Sequence, residues 1–90
     1  MDIDFDPAKD AANISKHGVS LAEAESLEWD ELLAIPDDPH HYGEARYIGF
    51  APIERRVFCV VFTDREQTRR IISLRKANAR EVNRYARQKD

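Results

Sequence analysis

Three strand-like runs, Arg46 to Ile53, Arg56 to Thr63 and Thr68 to Lys76, follow one another with almost nothing between them. The links Glu54-Arg55 and Asp64-Arg65-Glu66-Gln67 are too short for a crossover helix, so neighbouring runs must pair as hairpins and the sheet they build is antiparallel. Much of the second half of the chain is thereby committed to a meander, and the rest must pack around it. Leu32-Leu33-Ala34-Ile35 offers a further short strand before the turn-rich Pro36-Asp37-Asp38-Pro39. Ile3 and Phe5, alternating with acids, suggest a short strand at the start.

Helix signals fill the remainder. Asp6-Pro7 provides an N-cap and a proline at the first helical position, and Gly18 closes a helix from about Pro7 to His17. Its apolar residues Ala8, Ala11, Ala12 and Ile14 lie near one stripe, which is expected to face the core. Ser20-Leu21-Ala22-Glu23 reads as a capping box for a second helix running to about Glu28, with Leu21, Ala24 and Leu27 pointing inward. Asn78-Ala79-Arg80-Glu81 repeats the signature ahead of a last helix to about Gln88, with Val82, Tyr85 and Ala86 on its apolar side. The order of strand, two helices, meander of three to four strands and helix defines a small α+β domain, with helices on one sheet face.

At 90 residues the chain is expected to form a single domain, 1–90, with a thin core and no room for a separate cofactor-binding unit. Hydrophobic content of 42% beside 34% charged residues is that of a globular, water-soluble chain. No apolar run reaches the roughly 20 residues of a membrane span, and the acidic start Met1-Asp2-Ile3-Asp4 lacks the regions of a signal peptide. A cytoplasmic protein is expected. Cys59 is the sole cysteine, embedded in Val57-Phe58-Cys59-Val60-Val61-Phe62, and is expected to be a small core thiol.

The net charge of -3 conceals an asymmetry. Residues 1–45 hold two Lys/Arg, Lys9 and Lys16, against twelve Asp/Glu, whereas residues 46–90 hold twelve against five. A basic face with an acidic counter-surface is one reading, and mutual pairing of the two halves is the other. The cations gather around Thr68 to Lys76. Strict alternation there places Arg70, Ile72, Leu74 and Lys76 on one face and Arg69, Ile71, Ser73 and Arg75 on the other. An Arg75 guanidinium fixed by a sheet suits phosphate, which it can grip with two parallel hydrogen bonds, and Arg46 on the neighbouring part of the meander is a candidate to converge on the same place.

Asp37, Asp38, His40, His41 and Glu44 crowd into one loop, but their spacing matches no established zinc pattern, and a loop histidine serves equally as an acid, a base or an RNA contact. His17 sits in the last helical turn, where it either complements the dipole or takes part in chemistry. Tyr85 follows Glu81 by one turn, so both lie on the same side of the last helix. With three glycines and no glycine-rich loop or nucleophile elbow, no cofactor is expected.

Asp6-Pro7-Ala8-Lys9, the run from Asn13 to Val19, that from His40 to Arg46 and that from Arg70 to Glu81 together resemble the BrnT toxin family of type II toxin–antitoxin systems. The resemblance covers nearly the whole chain. It departs at Phe5, where tryptophan is frequent, at His41, where a small polar residue is frequent, and at Asp30-Glu31, where the family tends to Asp-Pro. It implies a RelE/ParE-like fold and a small ribonuclease that inhibits translation without a metal. It also implies a BrnA-like ribbon-helix-helix antitoxin in a 2:2 heterotetramer, with DNA met only through that partner and no membrane involved.

Cleavage of that kind, by attack of the ribose 2′-hydroxyl on the adjacent phosphate, needs a base, an acid and fixed positive charge. Arg75 and Arg46 are the candidates for charge and Glu81, Tyr85 and His17 for proton transfer, while Arg70, Lys76, Arg69 and Arg80 would hold the RNA. The alternative is a non-catalytic basic module that docks an acidic partner or nucleic acid. Its affinity would fall with each cation removed.

Overall fold

The computed structural model describes residues 2–37 and 44–89. Five strands, β1 (Asp2–Asp4), β2 (Leu33–Asp37), β3 (Arg46–Ile53), β4 (Arg56–Arg65) and β5 (Thr68–Lys76), join in the order β1-β5-β4-β3-β2. Two α-helices, α1 (Pro7–His17) and α2 (Ala79–Lys89), and two 3-10 helices, η1 (Leu21–Ser26) and η2 (Trp29–Glu31), complete the domain. The meander is antiparallel throughout, with turns at Glu54 and Glu66, both at positive φ. The sheet as a whole is mixed. β1 pairs with β5 in parallel, Asp2 opposite Thr68 and Asp4 opposite Arg70, so an all-antiparallel sheet gives way to one parallel edge. The intervening chain is long enough to return β1 to that edge.

Strict alternation along β5 does not hold. Phe62 pairs with Ile71 and Val61 with Ser73, leaving Ile72 as the extra residue of a β-bulge. The bulge resets the parity, and Ile71 and Leu74, expected on opposite faces, are both fully buried. Each contributes about 1.5–3 kcal/mol by leaving water. They meet Phe58, Val60 and Phe62 of β4, Ala51 of β3, and Val19, Leu21, Ala24 and Leu27 from the segment around η1. The inward positions read for the second helix are therefore the buried ones, although the element is 3-10 and ends at Ser26. Ser20 caps it from its hydroxyl to Ala22 N–H.

The first helix docks differently from the expectation. Asp6 caps it, Pro7 opens it, and Gly18 ends it at φ 73 with its N–H on the Ile14 carbonyl, a conformation glycine adopts without a Cβ penalty. Its core-facing stripe is polar. Ala8, Ala11, Ala12 and Ile14 are exposed, and Asn13 is the buried residue. Asn13 Nδ2 donates to the carbonyls of Val19 (2.9 Å) and Leu74 (2.7 Å), and Leu74 N–H donates back to Asn13 Oδ1 at 3.2 Å. One turn earlier, Asp10 accepts from the Ser20 hydroxyl and Leu21 N–H. Beyond the three residues of β1, the free edge of β5 still needs hydrogen bonds, and Asn13 supplies them where an alanine stripe cannot.

Candidate functional site

Arg75 lies near the end of β5, paired with Cys59 of the central strand β4. Its side chain is held not by the sheet alone, the expectation from the sequence, but by a carboxylate clamp. Nη1 and Nη2 donate to the two carboxylate oxygens of Glu81, each at 2.9 Å, and Nη1 also reaches the Lys76 carbonyl at 3.3 Å. Glu81 in turn accepts from Asn78 N–H and donates its own N–H to Asn78 Oδ1, both at 2.9 Å. This is the reciprocal capping box of α2, and it welds the helix start to the arginine. The clamp occupies the Nη1–Nη2 end of the guanidinium. No hydrogen bond among the described residues uses Nε, so the Nε–Nη2 edge keeps two donors in a fork that matches phosphate.

The hydrogen bonds from Arg75, with help from Asn78, outweigh burial and hold the Glu81 carboxyl down to about 2, while Glu81 raises Arg75 further above its ordinary value. So weak a base is a poor proton acceptor at neutral pH. Its two hydrogen bonds from Arg75 hold the guanidinium in one orientation. Burial pushes the Cys59 thiol up, with Arg75 opposing it, which leaves a protonated core thiol.

Tyr85 shares a groove with Glu81, as their spacing implied. Leu33, Ala34, Ile35, Ile48 and Phe50 form its sheet wall. The Tyr85 hydroxyl donates to the Glu31 carbonyl at 2.7 Å, and burial raises its phenol above the ordinary value. Val82 and Tyr85 are half-buried and Ala86 is exposed, so α2 is held largely by polar tethers: Glu81 to Arg75, Tyr85 to Glu31, and Lys89 to Glu31.

Arg46 does not converge on Arg75. It opens β3 opposite Asp37, whereas the β3 residue level with Arg75 is Phe50, which shares Cys59 as its neighbour on β4. Four residues along the strand and two strands across amount to roughly 13 Å by 10 Å. At that far end Arg65 bonds Glu44 at 3.0 Å, with Arg46 and Arg70 also acting to lower the Glu44 carboxyl. Arg70 pairs with Asp4 at 3.4 Å. Arg69 donates twice to Asp64, at 2.7 and 3.0 Å, and its guanidinium covers the rings of Phe62 and Trp29 at 4.3 and 4.8 Å. In part, then, the acidic and basic halves pair with each other.

His17 is not brought to the Arg75–Glu81 clamp. It lines a groove between α1 and β5 together with Lys9, Ala12, Asn13, Lys16, Ile72 and Ser73. Lys76 and Arg80 are exposed. Asp38, His40 and His41 of the acidic loop lie outside the described residues. Sequence reasoning named Asn13, Lys9 and Lys16 but gave them no role of their own. The signal was present: seven residues separate the two lysines, which puts both on one side of a helix.

The chain is thus a small α+β protein whose five-stranded mixed sheet presents a carboxylate-clamped arginine beside a cationic groove. A family model described as "Ribonuclease toxin, BrnT, of type II toxin-antitoxin system" matches residues 5–81, and the chain belongs to that family. Membership makes it a ribonuclease toxin by class and implies an antitoxin partner. No curated protein sequence matches the chain. No helix among the described residues is long and apolar enough to cross a membrane.

Proposed function

We propose that this chain is the toxin of a cytoplasmic toxin–antitoxin pair, an endoribonuclease that needs no metal and inhibits translation by cutting RNA. Its inhibitor is a BrnA-like ribbon-helix-helix antitoxin in a 2:2 assembly, through which alone DNA is met. The observation that carries the reading, beside the family, is the Arg75–Glu81 clamp: a forked cation fixed between a strand end and a capped helix, with one donor edge unspent. Such a group is preorganised for the extra negative charge of a pentacoordinate phosphorus.

In the reaction the 2′-hydroxyl gives its proton to a base and its oxygen bonds to phosphorus, while the bond to the 5′-oxygen breaks and that oxygen takes up a proton. The products are a 2′,3′-cyclic phosphate and a 5′-hydroxyl. Arg75 supports the phosphoryl charge from its Nε–Nη2 edge, and Glu81 holds it there. Among the described candidates for proton transfer, His17 offers an imidazole in the groove between α1 and β5, and Tyr85 a phenol beside the clamp. The apolar wall under α2 and the exposed Ile35 of edge strand β2 supply area for an antitoxin segment to cover.

Incubation of purified protein with end-labelled RNA in excess chelator tests the reading. Fragments ending in cyclic phosphate are expected. Strict dependence on a divalent ion, or fragments with 5′-phosphate ends, would refute it.

A further inference from the structure

Most arginines assigned to RNA by their position in the sequence are engaged with carboxylates: Arg69 with Asp64, Arg70 with Asp4, and Arg75 with Glu81. Lys9 and Lys16 are not. They are the two Lys/Arg of residues 1–45, they are exposed, and among the described residues neither makes an ion pair. Both line the groove between α1 and β5, whose floor includes Ile72 and Ser73 and whose end carries His17. Seven residues apart, they stand two turns from each other, roughly 10.5 Å along the axis of α1. Asn13 lies between them and ties the helix to both backbone groups of Leu74, so the spacing is rigid.

The position of Lys9 is costly. It falls in the first turn of α1, where the helix dipole disfavours a cation, and the nearby Asp10 carboxylate is committed to Ser20 and Leu21. Lys16 and His17 complement the dipole at the other end, which explains them locally but does not explain Lys9. Ser73 and Arg75 share one face of β5, because their partners Val61 and Cys59 follow regularly after the bulge. The groove therefore leads along the strand towards Arg75. By contrast, the depression beside Asp2, Asp64 and Glu66 is lined by acids and repels a polyanion.

We propose that the α1–β5 groove is a phosphate track for single-stranded RNA, in which Lys9 and Lys16 hold backbone phosphates on one side of the cleavage point and deliver the chain to Arg75. The inference rests on the ribonuclease reading and extends it to residues outside the clamp. It makes the two lysines binding residues, with no part in proton transfer.

The probe is a 2′-O-methyl oligoribonucleotide, which lacks the attacking hydroxyl and so reports binding alone. Its affinity is measured by fluorescence anisotropy for the wild type and for Lys9→Gln/Lys16→Gln across salt. Two lost phosphate contacts should flatten the log–log salt dependence by about 1.4, so that the wild-type advantage shrinks about sevenfold between about 50 and 200 mM salt. Lys9→Arg/Lys16→Arg should restore the wild-type slope, and all three proteins should melt together. On cleavable RNA the glutamine variant should raise KM and leave kcat nearly unchanged. An unchanged slope, or a wild type that does not bind the probe, overturns the track, as does lysine-dependent binding of polyglutamate in place of RNA. If the lysine effect on the probe is present but no RNA is ever cut, the ribonuclease reading fails while the track stands.

Discussion

Replacing Glu81 by Gln removes the charge from the clamp while keeping the length of the side chain, and its cost follows from the geometry. The carboxylate accepts two hydrogen bonds from Arg75 and one from Asn78 N–H, all at 2.9 Å. A fall from the ordinary 4.5 to about 2 sets a ceiling of about 3 kcal/mol. The Glu81 side chain is 19% exposed but that of Arg75 is 36% exposed, so water screens the pair and about 1–2 kcal/mol is the expected loss. For a domain of this size that lowers Tm by about 4–16 °C. Because folding depresses this carboxyl, the stabilisation is fully present above pH 4.5 and is lost as the pH falls through about 2. Thermal melts of wild type and Glu81→Gln should therefore differ by a constant amount from about pH 8 to about pH 5, and converge below. Arg75→Ala should cost a similar amount, and the double variant little more, since the two side chains act as one unit. Equal stability of Glu81→Gln and wild type at neutral pH, or a gap that persists to about pH 2, would refute this account of the clamp.

Asn13→Ala should destabilise the domain by about 2–4 kcal/mol in urea titrations, because it orphans the buried N–H and C=O of Leu74 and the carbonyl of Val19. Gly18→Ala meets no atom within 4 Å of the new Cβ but holds φ at 73, so a backbone cost of about 1 kcal/mol is expected from melting. Tyr85→Phe severs a tether of α2 at Glu31 and should speed amide exchange in Ala79–Lys89 while leaving β3 to β5 protected. Coexpression with a ribbon-helix-helix antitoxin should yield, by light scattering, the mass of a 2:2 complex; free monomers would contradict the proposed assembly.

The meander was legible because its links are too short for any other topology, and β5 begins and ends where the residues suggested. The caps at Asp6 and Gly18 and the Asn78–Glu81 box were legible for the same reason: each rests on chemistry within four residues. What failed depends on distant partners. The bulge at Ile72 cannot be seen without the register against β4, and it alone brings Ile71 and Leu74 to one face. The parallel return of β1 to β5 is a choice among edges that a local pattern does not encode. Alanines on α1 looked like a core stripe, but the edge of β5 wanted hydrogen bonds, and Asn13 won the buried side. Arg75 and Glu81 were both singled out from the sequence, yet as separate agents. Their six-residue separation spans a strand end and a helix cap, so only the folded chain reveals that one holds the other. Arg46 was misjudged for a related reason, since residues of one sheet share a site only when they are level and on adjacent strands, and β4 lies between β3 and β5.

Arg75 is the centre of the proposed site, and the initial rate of RNA cleavage by Arg75→Ala, measured beside its melting curve, tests that most directly. Loss of the clamp should lower Tm while leaving the protein folded at assay temperature. Loss of the phosphate contact should slow cleavage about a hundred- to thousandfold, with Arg75→Lys recovering a part because an ammonium lacks the fork. A folded Arg75→Ala protein that cuts RNA at the wild-type rate would contradict the account.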